Sequence, residues 1–401
     1  MSKTEKKLIE FLESNYGNIL LIVVIILGFR LRYLGIDLQS DDFNEYLKPW
    51  YETLKANMGF KGLVMDFYTY YIPYMCVIAI ATYFENLDFM LYLKVISVLL
   101  EFLSAFLGGL CAYDLLKDSK NREIVSKIVF SVMWLSPTVI LNGAYWAQCD
   151  YIYIAFLMLS VYMLLKDHTD LSFVFLGIAF TFKLQAAFLL PAYALYYLRN
   201  KKFSIFKFLY IPVCYIIGGI PAILEGKTIS DTYGIYITQS HGFGQLSMNI
   251  PNIYRFFPNE GYQEFYQWGI CAVVIIFLIL GFITVYQNYT IDKEVFVLTC
   301  AISAGICCMF LPEMHERYSA PFITFSYLYF LTYKGKAIWK VVLLDFIAMI
   351  TYFYCLYGLD MVEKYRVFAV VDIIILLWMI KYALCLMKEK KRMEVEENVQ
   401  K

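Results

Sequence analysis

The chain has 401 residues, of which 61% are hydrophobic and only 17% are charged. Such a composition cannot cover a globular surface with polar groups, so it excludes a soluble protein and indicates a polytopic membrane protein. The 34 basic residues balance 34 acidic residues. Without a net positive charge, nucleic acid is not an expected partner.

Cysteines and histidines give little support for a cofactor site. The ten cysteines are scattered through apolar stretches without a CxxC spacing, which is typical of small buried hydrophobic residues. The three histidines, His168, His241 and His315, form no zinc-binding motif. We therefore expect no cofactor.

Apolar stretches of spanning length follow a charged N-terminal segment, residues 1–18. This segment lacks a small-residue cleavage site, so we expect a cytoplasmic lead-in to a retained first span. The candidate spans lie at about 19–35, 89–115, 125–142, 149–165, 207–224, 268–287, 294–311, 318–333, 337–357 and 366–387.

Two further apolar stretches need a decision. Residues 71–84 are too few to cross a bilayer and begin beside Pro73, which is typical of a surface helix. Residues 171–198 carry Lys183 and Gln185 at their centre. A lone lysine at the bilayer midplane costs roughly 3 kcal/mol or more, so we expect two short helices that meet at an external hinge, Lys183–Gln185.

These choices give about twelve spans and put every basic cluster on one side of the membrane. The predicted fold class is an all-α polytopic membrane protein in the cell membrane, with both termini cytoplasmic and a basic tail at 388–401. The predicted cytoplasmic loops are 116–124, 199–207 and 334–340. The predicted external pieces are a first loop at 36–88, the segment 143–150, the hinge, a long loop at 225–267 and the segment 312–317.

The first external loop contains an acidic pair, Asp41 and Asp42, within SDDFNEYLKPWYETL. Aromatic residues around the pair would hold it at the bilayer surface. A carboxylate in such a place is suited to act as a general base, because burial or a neighbouring carboxylate raises its pKa toward neutrality. The alternative is an ordinary solvated acidic loop.

The segment NGAYWAQCDYIY places Trp146, Gln148 and Asp150 at an external helix entrance. Planar hydrogen-bonding groups beside an exposed indole are suited to a sugar. Asp150 could instead cap the helix, because a carboxylate is favoured at a helix N-terminus.

The segment PEMHERYSAP concentrates His315, Glu316 and Arg317 between two spans. An arginine beside a helix N-terminus is suited to bind phosphate oxygens. A structural Glu–Arg pair is the alternative. Lys183 could be a second phosphate ligand, or its amine could snorkel to the headgroups.

Two other groups of polar residues remain. The long loop carries His241, Asn249 and Asn252, and its length favours a binding loop. The apolar stretches themselves contain five ionisable residues, which we expect to pair across helices or to be functional: Lys94, Glu101, Asp345, Asp372 and Lys381.

Six short motifs then occur in a familiar order over about residues 20–330. They are Asp42-Phe43 followed by Leu47-x-Pro49-Trp50; Tyr70-Tyr71-Ile72-Pro73-Tyr74; Trp146-x-Gln148-x-Asp150; Lys183-x-Gln185 before Pro191; Asn249-x-x-Asn252; and Met314-His315-Glu316-Arg317-Tyr318. Together they resemble the GT-C superfamily of membrane glycosyltransferases, which use polyprenyl-phosphate-linked sugars. The resemblance is to the bacterial branch related to the eukaryotic GPI mannosyltransferases. Tyr71 and Ile72 depart from the residues usual in the surface helix.

The resemblance implies a GT-C catalytic module over 19–330, followed by C-terminal helices over 331–387. It implies an inverting transfer of a hexose from a polyprenyl-phosphate donor to a glycan or glycolipid acceptor at the extracytoplasmic face. Asp42 would be the base, with Asp41 as the adjacent fallback, and Lys183, Arg317 and His315 would bind the donor phosphate. The implied sugar or acceptor ligands are Trp146, Gln148, Asp150, Gln185, Glu316, Asn249 and Asn252.

Other interpretations stay open at this point. A divalent metal between Asp42 and Asp150 is possible but not favoured, because hard cations require several oxygen ligands. A flippase or transporter of lipid-linked saccharide is the main alternative function, although the sequence contains no internal repeat. A polysaccharide polymerase or ligase with a lipid-diphosphate donor is another.

Overall fold

The computed structural model describes residues 2–239, 242, 244–359 and 361–400, and His241 lies outside this set. The described residues are mainly α-helical, with one parallel pair of two-residue strands, β1 (Ser247–Met248) and β2 (Met314–His315). The structure is that of an all-α polytopic membrane protein, as the sequence predicts.

The helices follow one another with short connections, many of them single 3₁₀ or π turns. In chain order they are α1 Lys3–Tyr33, α2 Lys48–Ala56, α3 Ile72–Ala81, α4 Phe89–Leu115, α5 Arg122–Leu135, α6 Pro137–Ile140, α7 Asp150–Leu165, α8 Thr169–Phe182, α9 Leu190–Asn200, α10 Tyr210–Leu224, α11 Ile229–Tyr233, α12 Ile235–Gln239, α13 Tyr262–Tyr286, α14 Lys293–Phe310, α15 Ala320–Tyr333, α16 Ile338–Tyr357 and α17 Tyr365–Gln400.

Among the described residues, seven helical segments are long and apolar enough to cross a membrane. They are Lys3–Tyr33, Phe89–Leu115, Ile205–Leu224, Asn259–Tyr286, Lys293–Phe310, Gly335–Tyr357 and Tyr365–Glu396. An eighth results if α5 and the segment Pro137–Tyr145, which meet at a 49° bend, cross together. The bend falls at Pro137 because proline lacks an amide N–H and clashes with the preceding turn. Helix length thus supports seven or eight spans, and the figure of about twelve stays a prediction from charge bias.

Helix α14 lies at the centre of the bundle and is almost wholly buried. Small residues let its neighbours approach closely, as is usual for helix packing in membranes. At Gly305, an added Cβ would lie 2.8 Å from Leu376 of α17 and 3.0 Å from Phe322 of α15. A larger residue at Gly305 would therefore push two neighbouring helices away.

Both ambiguous stretches have the form expected from the sequence. Helix α3 is only 10 residues long and starts with Pro73 in its first turn. Helix α8 ends at Phe182, Lys183 has an extended backbone, and a 3₁₀ turn over Leu184–Leu189 leads into α9. The hinge is therefore a genuine break in the helix.

Most of the ionisable residues within the apolar stretches have partners. Glu101 accepts a hydrogen bond from Arg32 at 2.7 Å. Lys94 donates to the carbonyl oxygens of residues 35, 36 and 38, and Asp345 accepts from three hydroxyl groups. These three residues fit the expectation of pairing, since a buried charge must be compensated. Asp372 is buried without a partner on Oδ1, and Lys381 is exposed.

Candidate functional site

A cavity of about 1630 Å³ opens where the predicted external pieces meet. Its wall contains residues from the first loop, the segment before α7, the hinge, the long loop and the segment 311–318. Pockets for drug-sized ligands usually measure about 300–1,000 Å³, so this cavity has room for a larger substrate. Asp41, Asp42, Lys183, Gln185, Asn249 and Arg317 all line it.

Asp42 is held at the cavity wall through one carboxylate oxygen. Its Oδ2 accepts hydrogen bonds from Trp146 Nε1 at 3.1 Å and from Gln148 Nε2 at 2.5 Å. Arg317 Nη1 lies 3.7 Å from the same oxygen. No described residue donates a hydrogen bond to Oδ1, and the side chain is 31% exposed. One oxygen is therefore anchored while the other stays available to a ligand or a proton.

The backbone around Asp42 is fixed by Ser40. The Ser40 hydroxyl donates to the carbonyl oxygen of Trp146 at 2.9 Å and accepts from the amide of Phe43 at 3.2 Å. These bonds join the start of the first loop to the segment before α7. Asp42 thus faces Trp146 and Gln148 because two distant segments are tied at the backbone as well as through side chains.

Trp146 differs in one respect from the sequence-based expectation. Its side chain is only 3% exposed, so the open indole face expected for sugar stacking is absent. The indole N–H instead orients Asp42, and the ring lies 5.5 Å from the Arg317 guanidinium. A cation over an aromatic face is attracted to it, so Trp146 positions two charged groups of the site.

Asp150 lies beneath the cavity wall and is 0% exposed. Its Oδ1 accepts from Lys183 Nζ at 2.5 Å, and its Oδ2 accepts from Asn142 Nδ2 at 3.1 Å. Because Asp150 is the first residue of α7, the helix dipole also favours its negative charge. The carboxylate makes no capping hydrogen bond to the backbone of α7, so its main role is the ion pair that holds the hinge lysine in place.

Arg317 lies between the two aspartates. Its Nε is 3.7 Å from Asp150 Oδ2, and its Nη1 is 3.0 Å from Glu316 Oε1. The expected structural Glu–Arg pair is thus present. Among the described residues, no acceptor bonds to Nη2, so the guanidinium retains donors for a further anion.

Lys183 does not snorkel to a surface. It is 6% exposed and is surrounded by the rings of Tyr70, Tyr153 and Tyr318, with centroids 5.0–5.9 Å from Nζ. With Asp42, Asp150, Glu316 and Arg317 it forms a cluster of three carboxylates and two cations. We call these five residues the charge cluster.

His315 borders the charge cluster from β2. It is half-buried, and its ring packs edge-on against Tyr318 at 5.1 Å. Burial, together with the positive charges of Arg317 and Lys183, holds the pKa of His315 well below its usual value. Without a bound anion, His315 is therefore neutral at pH 7.

Burial also acts on Glu316. It raises the pKa of the Glu316 carboxyl group, against the opposing effect of Arg317. The Oε2 atom of this residue has no hydrogen-bond partner among the described residues. Glu316 is 1% exposed and contacts Arg317 from the side of the bundle core.

The remaining predicted ligands are divided between the cavity and the core. Gln185 and Asn249 line the cavity. Asn252 does not, because it is fully buried and its Oδ1 accepts from the amide of Tyr254 at 3.1 Å. Asp41 is exposed at the rim. The cavity thus contains ten of the twelve residues expected to form the site, all but Asp150 and Asn252.

Two residues that support the site were not expected from the sequence. Asn142 binds Asp150, and a polar amide at the end of an apolar stretch could have drawn attention to it. Glu313 is buried with a left-handed backbone (φ +58°) and accepts from the Gly244 amide at 3.0 Å and the Tyr262 hydroxyl at 2.5 Å. Glu313 thereby joins the long loop to the segment that carries Arg317.

Carboxylates and histidines of the described residues are candidate metal ligands. Within the described part of the chain, no group of three or more His, Cys, Asp and Glu side chains is placed to hold one. The guanidinium of Arg317 already lies within 3.7 Å of both Asp42 and Asp150. A cation between the two aspartates would compete with that guanidinium.

Comparison of the sequence with models of protein families and with curated proteins finds no match. The chemistry of the cavity therefore has to be inferred from its residues. They supply one anchored carboxylate with an open oxygen, and two buried cations 3.7 Å or less from carboxylates. Such a set can accept a proton at one point and stabilise a developing anion nearby.

Proposed function

We propose that the chain is an inverting membrane glycosyltransferase of the GT-C type. It would transfer a hexose from a polyprenyl-phosphate donor to a glycan or glycolipid acceptor in cell-envelope assembly. The observation that carries the proposal is the position of Asp42, which is anchored through Oδ2 beside Arg317 in the wall of a large cavity. The proposal includes the GT-C fold, about twelve spans, an extracytoplasmic active site and cytoplasmic termini.

The reaction would proceed by a single displacement. Oδ1 of Asp42 takes the proton of the acceptor hydroxyl as the acceptor oxygen attacks the anomeric carbon. The bond between that carbon and the phosphate oxygen breaks, and the lipid phosphate leaves with the electron pair. A general base of this kind contributes about 10²–10⁴-fold to a rate.

Arg317 would couple the two ends of this displacement. When Asp42 gains a proton, it loses the negative charge that faces Arg317 Nη1 across 3.7 Å. In the same step the leaving phosphate gains a negative charge. The guanidinium can then shift from the carboxylate to the phosphate. The reaction would therefore need no additional cation to stabilise the leaving group. Lys183, which its ion pair with Asp150 holds in place, would also stabilise the leaving phosphate.

The cavity wall also suits a lipid-borne donor. Aromatic and apolar side chains contribute a large part of the lining: Tyr46, Trp50, Phe67, Tyr70, Phe182, Leu184, Tyr236 and Ile270. A prenyl chain gains about 25 cal/mol for each Å² of apolar surface removed from water. Gln185 and Asn249 are among the polar groups of the wall that could contact sugar or acceptor hydroxyls.

The charge balance favours a monophosphate donor over the lipid diphosphate of a polymerase or ligase. Within the charge cluster, three carboxylates face two cations, and His315 is neutral. A diphosphate would add more negative charge to a cluster that already has an excess of it. Each unpaired buried charge costs several kcal/mol.

The test is an assay of the purified protein against a panel of polyprenyl-phosphate sugars and envelope glycan acceptors. Transfer of one hexose with inverted anomeric configuration supports the proposal. The Arg317→Ala variant should raise the apparent donor KM or lower kcat. Transfer only from lipid-diphosphate donors, or movement of intact lipid-linked saccharide across a vesicle membrane without transfer, would refute the proposal.

A further inference from the structure

A second cavity, of about 530 Å³, lies at the far end of α17. It lies between this helix and the connection from α13 to α14, and shares no lining residue with the cavity of the charge cluster. Its wall consists of Gln287, Tyr289, Lys388, Lys391, Arg392, Val395 and Glu396. We call Lys388, Lys391 and Arg392 the basic face.

The spacing of the basic face places its three cations on one side of α17. Positions i, i+3 and i+4 are neighbours on a helix surface. Lys388 is exposed, and its amine makes no hydrogen bond or ion pair with a described residue. Lys391 Nζ donates to the carbonyl oxygen of Gln287 at 2.7 Å, and Arg392 Nε donates to Glu396 at 2.8 Å. Most of the donors of the three cations are therefore still available.

Further contacts hold the polar end of α17 in place beside this cavity. Lys390 points away from the basic face and pairs with Asp292 at 2.5 Å and Glu294 at 2.7 Å, both at the start of α14. The Thr290 hydroxyl donates to Glu394 at 2.7 Å. These bonds fix the polar end of α17 against the start of α14. The three cations of the basic face are therefore already arranged before a ligand binds.

The apolar sequence places this cavity at the boundary between membrane and water. The apolar helix α13 ends at Tyr286, and α17 changes from apolar residues to the run KEKKR at Lys388. Phe282 and Tyr286 stack on each other and are 68% and 71% exposed. Exposed aromatic residues next to basic ones are typical of the headgroup level of a bilayer.

We propose that this second cavity binds the headgroup of an anionic phospholipid. The lipid phosphate would lie among the three cations of the basic face, and its acyl chains would run along the exposed surface of α13 at Phe282 and Tyr286. Basic residues directly beyond a membrane span attract anionic lipids. A soluble phosphate ester would satisfy the same cations, but the position of this cavity beside the exposed Phe282 and Tyr286, at the headgroup level, favours a lipid.

The experiment measures binding of fluorescent phosphatidylglycerol to the full-length protein in neutral detergent, with phosphatidylcholine as the neutral comparison. The variant Lys388→Gln/Lys391→Gln/Arg392→Gln removes the basic face. A control variant, Lys117→Gln/Lys120→Gln/Lys336→Gln, removes three exposed lysines. Contacts from Tyr333 to Leu115 and from Tyr329 to Glu294 place these lysines at the same end of the bundle.

We expect the wild type and the control to bind phosphatidylglycerol at least ten times more tightly than the basic-face variant does. Equal affinity in all three proteins, or equal binding of phosphatidylcholine by the wild type, would overturn the proposal. Displacement of the bound lipid by inorganic phosphate below 1 mM would overturn the assignment to a lipid. If the triple variant fails to fold, Lys388→Glu replaces it, because Lys388 is exposed and its amine makes no hydrogen bond or ion pair with a described residue. Unchanged affinity in that variant refutes the proposal.

Discussion

Lys183 and Asp150 form a buried ion pair, with 2.5 Å between Nζ and Oδ1. The two residues come from different helices, since Asp150 begins α7 and Lys183 follows the end of α8. Asn142 and Arg317 complete the surroundings of the carboxylate. The pair therefore fixes the hinge against the segment that carries Trp146 and Gln148.

Removing one partner of this pair should destabilise the protein strongly. We expect Lys183→Met to reduce the free energy of unfolding by about 3–5 kcal/mol, because it leaves Asp150 buried without its cation. Thermal unfolding in detergent measures the loss. The double variant Lys183→Met/Asp150→Leu should lose less than the sum of the two single variants. Additive losses would mean that the two residues do not interact.

Asp42→Asn should abolish hexose transfer while the protein stays folded. The amide keeps the size of the carboxyl group and can still contact Trp146 and Gln148, but it cannot take a proton. The expected loss in kcat is at least 10²-fold. Glu52→Gln is the matched control, because Glu52 is an exposed acid of the same loop that does not line the cavity. Retained transfer by Asp42→Asn would remove Asp42 as the base.

The Trp146→Phe variant distinguishes two roles of the Trp146 side chain, which are positioning Asp42 and packing beside Arg317. The substitution removes the Nε1–H that Asp42 accepts at 3.1 Å but keeps an aromatic ring beside Arg317. We expect kcat to fall about tenfold, because a misplaced base loses rate, while the donor KM stays nearly constant. A rise in donor KM at unchanged kcat would instead indicate direct contact of the indole with the donor.

His315 should make stability depend on pH on the acid side. Its pKa in the folded protein is well below the ordinary value of 6.5. Below pH 6.5 the imidazole therefore binds a proton in the unfolded chain but stays neutral in the folded chain. Stability is then full above pH 6.5 and decreases as the pH falls below that value. Melting temperatures between pH 8 and pH 5 measure the loss. The His315→Gln variant should show a weaker decrease than the wild type, and an identical decrease would contradict this account.

Membrane sidedness can be tested by labelling single introduced cysteines in intact cells. Gln185→Cys, in the cavity wall at the hinge, should react with a membrane-impermeant maleimide added from outside. Lys336→Cys, an exposed position in the loop after α15, should react only after permeabilisation. The parent protein measures the background from its ten native cysteines. Labelling of Gln185→Cys only after permeabilisation would overturn the proposed topology.

The sequence alone determined the class of the protein and several of its local features. Composition excluded a soluble fold, because 61% hydrophobic residues cannot cover a polar surface. The cost of burying Lys183 in a bilayer predicted the break after Phe182. The polar motifs of the predicted external pieces anticipated ten residues of the cavity wall. These inferences depend on composition, on local charge and on short-range patterns, which a sequence displays directly.

Only the tertiary structure decided which of these residues are partners. Asp42 is separated by more than 100 positions from Trp146 and Gln148, and its orientation follows from how α7, the first loop and Arg317 pack together. The indole of Trp146 is buried for the same reason, and Asn252 caps a turn in the core. A polar pattern indicates that a side chain needs a partner, but helix packing angles and connection geometry select the partner.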